Sequence, residues 1–409
     1  MKKRRIHSFF ALVATECRKA FGNPWTVIFF VCLLLLNGWK LADQYRQYTR
    51  RWEPYGEQYR QCYDQYSGQI TPEKIREIMT IYAPLEEKWN RMSLDYRYSP
   101  DAYTFSEGMD EEFYRTLFVE EMKYDYLYQN EAYRIADQAA QLADVYKNLG
   151  NSFASEKNEK IYRDFAGRII PTFSDTRGWE VLLRYDFSSM LILLLTLFAL
   201  CGMFSTERET EMYMLLRTTR YGNRMTTWAK LTAAALFTLC VSAAFYLEDF
   251  WGIYWIAQRR EALNAPVYAL RYMESTPLRI SVSAYFLRSA SVRTLGVWCL
   301  GIWILFLSTF CVQGLSAFLS GLLLIVCGAF VQSYAYPQSF LRICNPMELI
   351  LFRELVARDV FVNVLGRAFR LYTVAIFGAV AVSLCGIAGI FRRTQSCHMS
   401  GGRMGRAAK

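Results

Sequence analysis

Apolar residues in this chain are gathered into long runs rather than spaced at a helical or strand period. Six runs stand at Trp25 to Leu41, Phe187 to Phe204, Trp228 to Leu247, Thr294 to Val312, Leu315 to Tyr336 and Leu371 to Phe391. At a rise of about 1.5 Å per residue, about 20 helical residues match the roughly 30 Å of bilayer hydrocarbon. The pattern predicts an all-α integral membrane protein with six transmembrane helices. About twenty residues separate the first run from Lys2, Lys3, Arg4 and Arg5, and no small-residue cleavage site follows it, so it reads as an anchor rather than a signal peptide.

Between the first and second runs, residues 42–186 read as a helical extracytoplasmic domain. Thr71, Pro72 and Glu73 supply an N-cap, an N1 proline and a first-turn acid for a helix reaching about Arg91, with a break near Pro84. A second helix is expected from about Ser106 to Leu149, stopped by Gly150, and a third over about Phe153 to Gly167. This block holds 18 of the 28 tyrosines. They suit either an aromatic surface gripping a peptide or lipid, or the packing of a small helical core.

Net charge changes the picture. The chain carries +10, but residues 43 to 186 hold 26 acids against 19 bases, leaving a net +17 in the membrane part. The excess therefore argues for a bilayer partner and not for nucleic acid. Six bases against one acid in residues 1–24, and an acid-free basic tail at 392–409, place both termini in the cytoplasm by the positive-inside rule. An even number of spans then puts 42–186 outside. The external connection from Glu248 to Arg293 runs against this rule, with six Arg against four acids.

Only Cys62 lies in the large external block, so no disulfide is expected within it, and His7 and His398 are the only histidines. The six runs contain no Asp, Glu or His, and only Lys40 and Lys230 near their ends. That argues against an intramembrane enzyme and against a proton- or sodium-coupled carrier, which need ionisable groups at membrane depth.

Residues 6 to 22 form an interfacial helix by pattern, with Ile6, Phe9, Phe10, Val13, Ala20 and Phe21 on one face and Glu16, Arg18 and Lys19 off it, broken by Asn23 and Pro24. In the connection between spans two and three, Ser205 or Thr206 caps a predicted helix over 206–218. Glu207 lies in its first turn, Arg217 near its end, and Met212, Leu215 and Leu216 on one face. Such a helix suits a soluble partner or a passive place on the lipid surface. Between spans five and six, Asn345 and Pro346 open an amphipathic helix over 346–358, either re-entrant or interfacial.

The stretch from Gly178, Trp179 and Glu180 through Tyr185 and Asp186, then Phe204 to Glu207, Leu215, Leu216, Thr218, Thr219, Tyr221, Gly222 and Lys230, resembles the permease subunits of ABC-2 type ABC transporters of Gram-positive bacteria. Glu16, Lys19, Asn23 and Pro24 are similar to that family's elbow helix. Two departures are Glu211, where the family favours Gly, and Asn223, where it favours Arg. The resemblance implies a multi-pass cell-membrane exporter of a peptide, lipid or drug-like substrate, with Glu207, Met212, Leu215, Leu216 and Arg217 as the ATPase-coupling residues. It also implies a second permease protomer, identical or paralogous. No GxxxxGK[ST] loop occurs, so ATP and Mg are expected on a separate ATPase subunit, and no catalytic, cofactor or metal site is expected in this chain. The competing reading is a membrane sensor or resistance module whose external domain detects a peptide or antibiotic and signals inward.

Overall fold

The computed structural model describes residues 2–98, 105–213, 224–257 and 260–404. Six described helices are long and apolar enough to cross a membrane: Pro24–Thr49, Arg177–Glu209, Arg224–Trp255, Val282–Ser308, Gly314–Tyr334 and Leu371–Gln395. The second, third and fourth form the buried centre of the bundle, while the first, fifth and sixth leave most of their apolar surface exposed.

The segments joining these helices collect at two ends. At one, the amino-terminal helix Lys2–Phe21, the 201–213 connection and the start of the fifth helix come together. Trp228 also meets Phe391 of the sixth helix there. At the other end, the block after the first helix, the 260–281 connection and the 340–370 segment build one lobe. This grouping is the one that six alternating crossings require.

The lobe contains helices Gly56–Tyr66, Pro72–Tyr98 and Phe105–Tyr114, the last running through a π-helical turn, Arg115–Val119, into Glu120–Asn148. Gly150, at φ 70°, reverses the chain into Ser152–Phe165. Pro84 lies on the exposed side of Pro72–Tyr98. Water can satisfy the carbonyl it frees there, and the helix continues where a break was expected. Tyr63, Tyr66, Tyr82, Phe113 and Phe118 pack the lobe's core, whereas Tyr126 and Tyr133 face outward.

Two arginines of the third-to-fourth connection are held by the lobe. Arg271 pairs with Glu120 at 3.1 Å and Glu121 at 3.2 Å, and Arg279 donates to the carbonyl of Asp164 at 2.7 Å.

The expected helix over 346–358 is two short pieces, Met347–Ile350 and Phe352–Val356, broken at Leu351. They are buried rather than interfacial, with Leu349, Ile350, Phe352 and Val356 all at 0% exposure. Glycines on two apolar helices admit this segment, and one on a third admits Ile343 just before it. A Cβ on Gly296 would stand 2.9 Å from Leu349 Cβ, one on Gly328 3.1 Å from Met347 Cγ, and one on Gly378 3.0 Å from the Ile343 carbonyl oxygen. Small residues at such seams let backbones approach closely. Beyond it, an antiparallel hairpin, Phe361–Val364 with Arg367–Arg370, lies on Ser152–Phe165 through Arg370–Asp164 and through the Ala368 N–H, which donates to Glu156 at 3.1 Å.

Candidate functional site

The 201–213 connection was expected to open a helix at Ser205 or Thr206. Instead, the second apolar helix passes through Cys201, whose φ of −58° and ψ of −33° are helical, and carries on as Gly202–Glu209. Ser205 is buried inside it and caps nothing. Its Oγ donates to the Cys201 carbonyl at 3.0 Å, and its N–H donates to Ser308 Oγ of the fourth helix at 3.2 Å. The chain turns at Glu211, whose φ of 55° lies in the left-handed region where glycine is at ease. Helix resumes at Met212 and Tyr213.

This turn leaves Glu207 facing inward. Lys230, only 2% exposed at its side chain, donates to Glu16 at 2.9 Å, to Glu207 at 2.7 Å and to the Met203 carbonyl at 2.8 Å. Lys19 closes the group, 2.9 Å from Glu16 and 3.0 Å from Glu207. Two cations and two carboxylates thus neutralise one another where the amino-terminal helix crosses the second and third apolar helices. Burial pushes the Glu16 carboxyl up, but Lys230 and Lys19 outweigh it and hold it below its ordinary value. Burial likewise acts to lower the Lys19 ammonium, and Glu16 and Glu207 hold it above its ordinary value.

The connection is tied elsewhere too. Ser308 donates to the Cys201 carbonyl at 2.6 Å, and Glu209 accepts from the Gly314 N–H at 3.3 Å, covering the first turn of the fifth helix. A displacement at Met212 would therefore be felt by the amino-terminal, third, fourth and fifth helices together.

Of the residues expected to couple, Glu207 sits in the ion cluster, not at an exposed rim, and Met212 is 50% exposed. Leu215, Leu216 and Arg217, with the rest of the expected helix to 218, lie outside the described residues. Glu16, expected off the apolar face, lies on the buried one between Val13 and Ala20. Of the partners that sequence reasoning left unpaired, Lys230 carried a signal, a lone charge among apolar neighbours and costly without a counter-ion, whereas Glu16, with Arg18 and Lys19 beside it, carried none.

A second polar joint lies toward the lobe. The third helix runs past Leu247 to Ala257, so Glu248 and Asp249 lie within it, contrary to the expectation of spans without acids. The Asn37 amide donates to Glu248 at 3.1 Å and to Asp249 at 2.7 Å, and the Tyr185 hydroxyl donates to Asn37 Oδ1 at 3.0 Å. Nearby, Asp186 is held between Arg293 at 2.8 Å and Arg353 at 3.1 Å. These bonds join the first four apolar helices to the buried segment.

In the lobe, Asp175 and Arg177 form a bidentate pair, 2.7 Å at its closest, with the Tyr59 hydroxyl donating to Asp175. Burial pushes the Asp175 carboxyl up, but Arg177 more than offsets it and holds the group below its ordinary value. The pair stands beside a cleft of about 1040 Å³ between the lobe and the far end of the first apolar helix. Among the described residues no three His, Cys, Asp or Glu side chains gather as a metal site. Compared with family models, with curated proteins and with solved structures, the chain finds no match in any of the three.

Proposed function

We propose that this chain is the membrane-spanning permease subunit of an ATP-driven exporter of the ABC-2 type, working with a separate ATPase and a second permease protomer. One observation carries the reading. The connection between the second and third apolar helices is bonded to the amino-terminal, third, fourth and fifth helices while it presents Met212 outward. An element that must turn a partner's motion into rearrangement of a bundle needs both properties. On this reading Met212, Leu215 and Leu216 seat in the ATPase, Arg217 orients the seat, and Glu207 passes the motion inward through Lys230.

The termini then face the cytoplasm and residues 42–186 lie outside. The grouping of connections at two ends of the bundle supports that arrangement. Cys62, half-buried in the lobe, should react slowly with a membrane-impermeant thiol reagent on intact cells, and labelling of this position should be absent in Cys62→Ser, with Cys344, also half-buried at that end, replaced in both proteins.

The test of function is co-purification of the ATPase with the double variant Leu215→Ala, Leu216→Ala. Removing two interface anchors should cost about 2 to 4 kcal/mol and release the ATPase. Full retention with normal substrate-stimulated hydrolysis would sink the proposal, as would a monodisperse monomer that moves substrate alone.

A further inference from the structure

Toward the lobe, the second, third and fourth apolar helices leave a cavity of about 10 Å³ between them. Its polar lining is Tyr185, Tyr246, Asp249, Ser289 and Arg293, all buried at 2% to 6% exposure and set among apolar side chains. That volume has room for about one water-sized occupant, and a water stays in such a place when about two to four polar groups bond it.

Two charged groups line this cavity without meeting. The terminal nitrogens of Arg293 are engaged, donating to the Tyr185 carbonyl at 3.0 Å and to Asp186 at 2.8 Å, while its Nε–H is buried with no partner. Asp249 accepts from the Asn37 amide at 2.7 Å, and the Ser188 hydroxyl stands beside it without hydrogen-bond geometry. The Arg293 charge acts on this carboxylate, yet among the described residues Asp249 makes no direct ion pair. A buried N–H without an acceptor costs its full desolvation, and a buried carboxylate without a counter-ion costs more. A polar pair too far apart for a direct bond is the setting in which a water bridges.

The chemistry of the lining selects the occupant. A cation in the cavity would meet the Arg293 guanidinium, and an anion would meet Asp249. Water suits both, because it accepts from the one and donates to the other. We propose that the cavity holds one ordered water that accepts from the Arg293 Nε–H and donates to the Asp249 carboxylate, making the two a water-separated ion pair. The Tyr246 and Ser289 hydroxyls on the same wall offer acceptors for its second proton. Arg353 stands 3.1 Å from Asp186, so the water closes a chain of alternating charges, Asp249, Arg293, Asp186 and Arg353. The chain runs from the third helix through the fourth and second to the buried segment, and it gives Asp249 the counter-ion it otherwise lacks. Such a link tolerates small helix shifts, because a water reorients where a direct pair would lengthen and break. The inference stands apart from the export reading and needs neither partner nor substrate.

The experiment uses the full chain in lipid nanodiscs. A structure at a resolution that shows ordered water elsewhere should place one peak about 2.7 to 3.2 Å from both Arg293 Nε and an Asp249 carboxylate oxygen. A direct Arg293–Asp249 contact, or no peak in the cavity, would overturn the proposal. A peak that strengthens in rubidium or bromide buffer would mark an ion and overturn it equally. X-ray hydroxyl-radical footprinting gives an independent readout, because a bound water generates radicals where it sits. Corrected for intrinsic reactivity, Tyr246, at 6% exposure, should be oxidised several-fold faster than its neighbour Phe245, which is 0% exposed and outside the cavity lining. Equal rates would count against the water. Ala290 also lines the cavity, and the added methyls of Ala290→Val should displace the water and bring the Tyr246 rate down to that of Phe245. Unchanged Tyr246 oxidation in a variant that keeps the wild-type elution volume would overturn the proposal. If that variant does not fold, the wild-type structure and footprint still decide the matter.

Discussion

Lys230→Met deletes the central cation of the buried cluster while nearly preserving side-chain length. Lys230 is 2% exposed and makes three hydrogen bonds of 2.7 to 2.9 Å, to Glu16, Glu207 and the Met203 carbonyl. Its removal leaves two carboxylates to share Lys19, with Glu16 still buried. Breaking a buried pair from one side typically costs about 3 to 5 kcal/mol, because the remaining charge stays desolvated. For a bundle of this size that corresponds to a fall of about 6 to 10 °C in Tm, at about 2 °C per kcal/mol. Lys19 offers the control, since it touches the same two acids from a side chain that is 57% exposed. Lys19→Met should cost less than about 1 kcal/mol. Adding Glu16→Gln to Lys230→Met should recover part of the loss, as the two sites are coupled. The pH dependence follows from Glu16, whose folded carboxyl titrates below its ordinary 4.5. The stability it contributes is complete above that value and disappears as pH falls through the lower folded one. Thermal unfolding in detergent, followed by tryptophan fluorescence at pH 7 and pH 4, measures all of this. A Tm for Lys230→Met within about 2 °C of wild type, or equal losses for Lys230→Met and Lys19→Met, would refute the reasoning.

The remaining predictions concern the inserted segment, a buried acid and a strained turn. Gly296→Ala would bring a Cβ to 2.9 Å from Leu349 Cβ and 3.1 Å from the Ile350 backbone nitrogen, so it should cost about 1 to 3 kcal/mol in Tm assays; Gly56→Ala, with nothing within 4 Å, should be neutral or slightly stabilising. Burial pushes the Asp359 carboxyl up to about 6, against the pull of Arg370, so its ionised form is disfavoured in the fold. The stability linked to it is lost as pH rises from about 4 through about 6. Asp359→Asn should therefore stabilise the fold at pH 7 by up to roughly 3 kcal/mol, read as a higher Tm, and remove that part of the wild-type pH slope; an unchanged slope would count against it. Glu211→Gly should relieve the left-handed turn at φ 55° and stabilise by up to about 1 kcal/mol, whereas Glu211→Val should destabilise, both read by Tm.

What the sequence determined by itself is local and one-dimensional. About 20 apolar residues make a bilayer-length helix whatever stands beside them, and six such helices stand where the runs lie. Caps are equally local: Asn23 accepts from the Trp25 N–H at 3.1 Å, Thr71 from the Lys74 N–H at 3.4 Å, and Gly150 turns the chain at φ 70°. The tertiary structure decided whatever depends on neighbours. Glu16 and Lys230 are 214 residues apart, and no helical period links them. Whether Glu16 faces lipid, water or a lysine depends on which helix lies across it. The same reason governs the end of the second helix. Ser205 is a good N-cap by composition, yet bonds to Ser308 and Cys201 keep it inside a longer helix. It also governs the 346–358 segment, whose apolar face suits a lipid surface as well as a protein interior. Glycines at 296 and 328, each unremarkable alone, meet around that segment only once two helices are packed on it, and they let the backbone in. Helix length and caps are properties of consecutive residues. Burial and charge pairing are properties of residues that the fold makes adjacent.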